Sequence, residues 1–238
     1  MPKNTKVMFV CILLIGIAVG TCIGVTADTV IKDITVQVNS AVKYKLNGNE
    51  FIPKNVDGSK MDTLIYNGRS YVPLRAIADA FKVAVDWDGT TSTIILGERE
   101  GKGVSMLDLK PKLDNFYYDT EYHAATFDKD ALTFYGDTEV VFNFGIDSKS
   151  KSKSATKISV SLEKKYQTLK FYAWTTDNDG KLVIWDTTNK NSIELKRFDI
   201  EKNILKEIEV NVGGVDSLLI EYGGYDTTKF VIAEPYLK

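Results

Sequence analysis

Hydrophobic and polar positions change period several times along this chain, and each change marks an element. The pattern is densest from Leu64 to Leu96. Asn67-Gly68 lies between two apolar runs, and because both residues accept positive φ the pair predicts a hairpin. Pro73 stands where a first helical turn tolerates a missing N–H. Leu74, Ile77, Ala78 and Phe81 follow at helical spacing as one apolar stripe. After Lys82 the period falls to two. Val83, Val85 and Trp87 then share one side, which assigns Trp87 to packing, and Asp88-Gly89 turns the chain into Thr93–Leu96. Upstream, Ile34, Val36 and Val38, then Val42, Tyr44 and Leu46, alternate with polar residues, with turns at Asn47-Gly48 and Asp57-Gly58. The expectation is a small α+β N-terminal domain of hairpins plus one short helix over residues 28–97.

Past Gly97 the periodicity stops. Glu98 to Gly103 carries charge and glycine, and residues 98–112 read as a linker in which Leu107 and Leu109 form a short ordered tether. From Leu113 the pattern is all-β. Short apolar runs recur at Ala131–Tyr135, Glu139–Phe144, Lys157–Leu162, Thr168–Trp174, Leu182–Trp185, Ile193–Phe198, Lys206–Val212, Ser217–Tyr222 and Phe230–Tyr236, each bounded by Gly, Asn or Asp. Such spacing predicts an all-β jelly-roll or sandwich domain over residues 113–238. The alternating lysines and serines of Ser148–Ser154 read as a solvated loop.

The start of the chain changes the compartment. Lys3 and Lys6 precede a run from Val7 to Ala27 without charge, and Val25-Thr26-Ala27 suits a signal-peptidase cut before Asp28. Residues 1–27 are therefore expected to be a signal peptide and the protein secreted or held at the cell surface. An uncleaved leader would be its one membrane contact. Both cysteines, Cys11 and Cys22, lie in that leader, which leaves the expected mature chain without thiol or disulfide chemistry. The 30 basic and 32 acidic residues nearly cancel, so no nucleic-acid footprint is expected.

Two stretches resemble known families. Tyr71-Val-Pro-Leu-Arg-Ala-Ile-Ala-Asp-Ala-Phe, then Val85-Asp-Trp-Asp and Ile94-Ile-Leu, resemble the copper amine oxidase N-terminal-like domain, a stalk module of exported Gram-positive proteins. The resemblance implies a spacer and no oxidase. The oxidase chemistry needs three histidine ligands and a quinone-forming tyrosine, and this chain has one histidine, His123. Further on, Leu162-Glu-Lys-Lys-Tyr-Gln-Thr-Leu-Lys-Phe, Gly180-Lys-Leu-Val-Ile-Trp, Val210-Asn-Val-Gly-Gly-Val-Asp-Ser-Leu-Leu-Ile and Gly223-Gly224 resemble the NPCBM family. Those are carbohydrate-binding modules with a galactose-binding-like sandwich. Their loop after the double glycine often carries histidine and tryptophan, whereas Tyr225–Phe230 here has neither.

Sugar recognition needs an aromatic face with carboxylates or amides beside it. Trp174 precedes the polar run Thr175–Gly180, Trp185 precedes Asp186–Asn191, and Tyr225 follows the double glycine. Trp174, Asp177, Asp179, Trp185 and Tyr225 are the expected ligand-binding set. Thr175, Asp177, Asp179 and Asp186 also resemble an acidic calcium loop, but Asp and Asn bonding their own backbone in a turn account for the spacing. No cofactor is expected. His123 lacks any accompanying nucleophile elbow, zinc helix or phosphate loop, so no catalytic set is expected. The reading is a non-catalytic surface protein that binds carbohydrate or cell wall through its sandwich. The alternative is a protein-interaction module without sugar binding.

Overall fold

A computed structural model describes residues 31–55, 57–114, 122–150, 155–224 and 228–238. The expected leader, residues 1–27, lies outside the described residues. The chain divides after Gln37, and Val38–Lys238 is one compact unit. That unit contains the hairpins, the helix and the sandwich.

After β1 (Gln37–Asn39), its N-terminal part is a series of hairpins. β2 (Tyr44–Leu46) and β3 (Asn49–Phe51) pair around Asn47-Gly48, and β4 (Thr63–Tyr66) and β5 (Arg69–Tyr71) pair around Asn67-Gly68. In both turns the two central residues have positive φ, 51° and 84° in the first and 49° and 70° in the second, as a two-residue hairpin loop requires. The helix α1 spans Leu74–Phe81, with Pro73 as its N-cap rather than inside its first turn. Lys82 ends it in the left-handed region, with its N–H on the Asp79 carbonyl and the Val83 N–H on that of Ala78, a Schellman-type close. β6 (Val85–Asp88) and β7 (Thr93–Leu96) complete the series.

The expected apolar stripe on α1 is corrected here. Of its members Ala78 is buried and Ile77 half-buried, but Leu74 and Phe81 are exposed and Ala76, outside the stripe, is buried, because the helix approaches the rest of the protein along its alanines. Trp87 is also corrected: its strand parity matches Val85, yet it is 56 % exposed, since nothing among the described residues covers the outer end of that hairpin.

Residues expected as a linker contribute to the sandwich itself. β8 (Val104–Ser105) pairs with the last strand, and the 3₁₀ turn Met106–Leu109 follows, started by Ser105, whose hydroxyl accepts the Leu107 N–H. Met106 is fully buried in the sandwich core, and β9 (Lys112–Asp114) joins a sheet edge. The remaining strands are β10 (Tyr122–Thr126), β11 (Thr133–Tyr135), β12 (Glu139–Val141), β13 (Gly145–Ser150), β14 (Thr156–Ser161), β15 (Thr168–Thr175), β16 (Gly180–Asp186), β17 (Ile193–Ile200), β18 (Lys206–Asn211), β19 (Ser217–Gly224) and β20 (Thr228–Leu237). Part of the expected Ser148–Ser154 loop is strand, because β13 continues to Ser150; residues 151–154 lie outside the described residues.

Two antiparallel sheets result. One has the order β10-β13-β20-β15-β18, with β8 on β20, and the other the order β17-β16-β19-β14-β9. Between them Phe171, Leu169, Ile158, Leu182, Ile184, Ile208, Ile220 and Phe230 are almost fully buried. The strands alternate because each inner residue packs across the sandwich while its neighbours face outward. A second, smaller cluster forms on the outer face of the first sheet. There Leu132, Phe134 and Phe142, carried by the β11–β12 hairpin and its flanks, fold over Trp174, Val231 and Ala233.

The hairpin series meets the sandwich through one side chain in particular. Gln167 accepts the Ala84 N–H at 2.9 Å and donates to the Lys82 carbonyl at 3.2 Å and to Asn211 Oδ1 at 2.8 Å. Lys164 adds its carbonyl to the Val85 N–H and its ammonium to Asp79 at 2.6 Å. Gly213 sits against this joint, where a Cβ would lie 2.1 Å from the Lys82 carbonyl oxygen, so only glycine admits the approach.

Candidate functional site

The two tryptophans that read alike in sequence point to opposite sides of the sandwich. On β15, Leu169, Phe171 and Ala173 face the inner core and Trp174 the other way, under the β11–β12 hairpin. Its ring is 1 % exposed, stacked on Phe142 at 5.5 Å and met edge-on by Phe134 at 5.9 Å. Trp174 therefore has no free face for a ligand. The expected platform is corrected at this position, because a hairpin distant in sequence covers it.

On β16, Leu182 and Ile184 fill the core, and Val183 and Trp185 project from the opposite face. Trp185 is partly exposed there. Its neighbours come from the adjoining strands: Glu194 on β17 and Leu219 on β19 are its register partners. The indole Nε1–H donates to Glu221 Oε2 at 2.9 Å, and Lys157 on β14 lies 3.4 Å from Glu221 Oε1. On the other flank Arg197 holds Glu194 through two hydrogen bonds, at 3.1 Å and 2.6 Å. That fork keeps the Glu194 carboxyl below the usual carboxylate range and raises the Arg197 guanidinium. The face thus offers one aromatic ring framed by two carboxylates and two cations, each cation already paired.

Asp177 and Asp179 lie at the far end of β16, in the turn that precedes it. Asp177 Oδ2 accepts the Lys229 N–H at 2.8 Å and Asp179 Oδ1 the Lys202 N–H at 2.7 Å. Asp186, beside Trp185, accepts the Thr188 N–H at 2.9 Å. These carboxylates fasten loops to strands. With five residues of β16 between Asp179 and Trp185, at about 3.3 Å each, the turn and the ring do not form one ledge. Among the described residues no three His, Cys, Asp or Glu side chains gather to hold a metal ion. Tyr225 lies outside the described residues. On β19, burial raises the phenol of Tyr222, which donates to the Asn178 carbonyl at 3.3 Å and stacks on Phe230 at 4.0 Å.

Sequence alone does not single out Glu221, Lys157, Glu194 or Arg197. One local signal was present: Glu221 is the one charged residue in Ser217–Tyr222, between the core residues Ile220 and Tyr222. Its meeting with Trp185 required knowing that β16 and β19 pair.

The described residues form a two-sheet antiparallel β-sandwich carried behind a small hairpin-and-helix module. The chain belongs to the copper amine oxidase N-terminal domain family, whose model matches residues 23–96 and 45–144. That domain is itself non-catalytic. No curated protein matches the chain. Among solved structures, a CBM51 module from a Clostridium perfringens GH95 protein in complex with methyl-galactose is similar at 15 % identity and TM-score 0.43, over 58 % of this chain and 100 % of that one. The CBM51-2 and INT domains of Clostridium perfringens ZmpB are similar at 12 % and 0.40, over 85 % of this chain and 40 % of that one. The family 11 carbohydrate-binding module of a Clostridium thermocellum cellulosomal cellulase is similar at 13 % and 0.35, over 57 % and 92 %.

Proposed function

We infer that this is an exported, non-catalytic surface protein whose sandwich binds glycan on the outer face of the β17-β16-β19-β14-β9 sheet. The observation that carries the reading is Trp185, an aromatic ring on the solvent side of a sheet, hydrogen-bonded to Glu221 and flanked by paired charges. Sugar rings present an apolar C–H face and a rim of hydroxyls. An indole takes the first, and carboxylate oxygens with ammonium or guanidinium donors take the second. Because Lys157 and Arg197 are already paired with Glu221 and Glu194, the face suits a neutral sugar and not an acidic one. The export reading rests on the uncharged run Val7–Ala27, and the hairpin module would act as spacer.

Titration calorimetry of the full chain with neutral oligosaccharides and cell-wall glycans tests this. Saturable binding is expected, lost in Trp185→Ala with the melting temperature unchanged and weakened in Glu221→Gln. No saturable binding to any of these, or equal binding by Trp185→Ala, overturns it.

A further inference from the structure

The hairpin module ends on an open strand edge. Among the described residues β6 and β7 form a sheet of their own, so Thr93–Leu96 has a strand neighbour on one side only. The Val85 N–H donates to the Lys164 carbonyl at 3.1 Å, away from β7, while the Gly97 N–H donates to the Ala84 carbonyl at 3.0 Å, along the hairpin. In an antiparallel ladder inward and outward residues alternate. The peptide groups of Ile94 and Leu96 therefore point outward, and no other strand among the described residues takes them. Proteins usually blunt such an edge with lysine, proline or a bulge. Thr-Ile-Ile-Leu has none of these.

A groove of about 620 Å³ is lined by Thr93, Ile94 and Ile95 of this strand and by residues between Glu98 and Val104. Ile94 and Leu96 are 55 % and 52 % exposed, and Ile94 is directly opposite Trp87 on the same face of the hairpin. The charges around it are unequal. Arg99 is paired with Asp86, Lys102 lies 5.0 Å over the Tyr236 ring, and Glu98 accepts the Thr168 hydroxyl. Glu100 has neither an ion pair nor a hydrogen bond among the described residues. Three carboxylates, Asp86, Glu98 and Glu100, thus face two cations, Arg99 and Lys102.

We propose that this groove takes an extended, apolar segment of a protein partner, added as a third strand on β7 and carrying a lysine or arginine that meets Glu100. Unpaired backbone groups supply the affinity, and alternate side-chain contacts supply the selectivity, as in strand addition generally. The occupant is committed to a basic strand by the acidic balance of the lining, in which Glu100 has no cation of its own among the described residues. The site is separate from Trp185 and does not depend on glycan binding.

Fluorescence anisotropy of the full chain with a labelled peptide of alternating valine and lysine tests it. Its glutamate counterpart and a backbone N-methylated version serve as controls. The lysine peptide should saturate, the glutamate peptide should bind roughly tenfold more weakly, and N-methylation should remove binding. Ile94→Lys should abolish binding at an unchanged melting temperature, and Glu100→Lys should invert the charge preference. Peptide-induced NMR shifts should centre on the amides of Ile94 and Leu96. No binding of the lysine peptide at millimolar concentration, or equal binding of the N-methylated peptide, overturns the proposal. So does a peptide-free dimer that protects those two amides.

Discussion

The hairpin module and the sandwich use similar residues to opposite effect. In the module the buried apolar side chains are Ala76, Ala78, Ala84 and Val85, while Leu64, Tyr71, Leu74, Phe81, Trp87, Ile94 and Leu96 are exposed. In the sandwich Trp174, Phe171, Phe230 and more than a dozen aliphatic residues are almost fully buried. Geometry accounts for the difference. The module's two-stranded hairpins are marginal alone and its one larger sheet, β1-β4-β5, has strands of only 3 or 4 residues, whereas two facing sheets bury an inner face each. The module is therefore held by its joint to the sandwich more than by a core of its own. Its uncovered apolar surface is the kind that marks contact with something else.

The contrast is tested hardest from the sandwich side. Trp174→Ala removes the ring on which Phe134 and Phe142 pack. An aromatic truncation at a closed site costs about 3–5 kcal/mol, which lowers the melting temperature of a domain this size by roughly 10 °C. Calorimetric melting checks it. A shift of a degree or two would mean that the second cluster contributes little and that the β11–β12 hairpin is an ornament of the fold. Next comes the joint. Gln167→Ala leaves the Ala84 N–H and the Lys82 carbonyl without their partner and costs about 1 kcal/mol. Hydrogen exchange should quicken at Ala84 and across Val85–Leu96 while the sandwich amides stay protected. Uniform quickening would show one cooperative unit and erase the contrast between the two regions.

These effects also show which parts were legible in the sequence. The turns at Asn47-Gly48 and Asn67-Gly68, the helix near Leu74–Phe81 and most sandwich strands were readable, because local backbone preference and short-range alternation decide them. The fate of each outward-facing aromatic was not. Trp174 and Trp185 both lie out of phase with the inner core and both precede a polar turn. What separates them is Leu132, Phe134 and Phe142 closing over one sheet and, among the described residues, nothing comparable over the other. That is a contact between segments some forty residues apart, so no window along the chain contains it. The same holds for Glu221, which reaches Trp185 only once β16 and β19 are neighbours. On α1 the periodicity was right and Ala78 of the expected stripe is buried, but Leu74 and Phe81 are exposed while Ala76, outside that stripe, is buried, since the alanines permit a closer approach.

A smaller effect tests the contrast from the module's side. Phe81 is 61 % exposed at the end of α1, so Phe81→Ser should change stability by less than about 0.5 kcal/mol in denaturant unfolding. A loss near that of Trp174→Ala would reveal an apolar contact for α1 and undo the account of the module as coreless.

The gentlest probe is the turn of the last hairpin, where structure persists without burial. Asp88 accepts the hydroxyls of Thr90 and Thr91 and the N–H of Thr90. Those hydrogen bonds, from Thr90 first and then Thr91, favour the carboxylate and lower its pKa to about 2. Because the folded value lies below the unfolded one, the contribution to stability is complete above the unfolded carboxylate range. It declines as pH falls from about 4 toward the folded pKa of about 2. Following the Asp88 carboxyl carbon by NMR should give a midpoint near 2, moving upward in Thr90→Ala. Amides of Val85–Leu96 should lose protection over that same interval, ahead of the sandwich. An ordinary midpoint would mean the turn is open in solution. The free edge of β7 would then lack the rigid hairpin that strand addition needs.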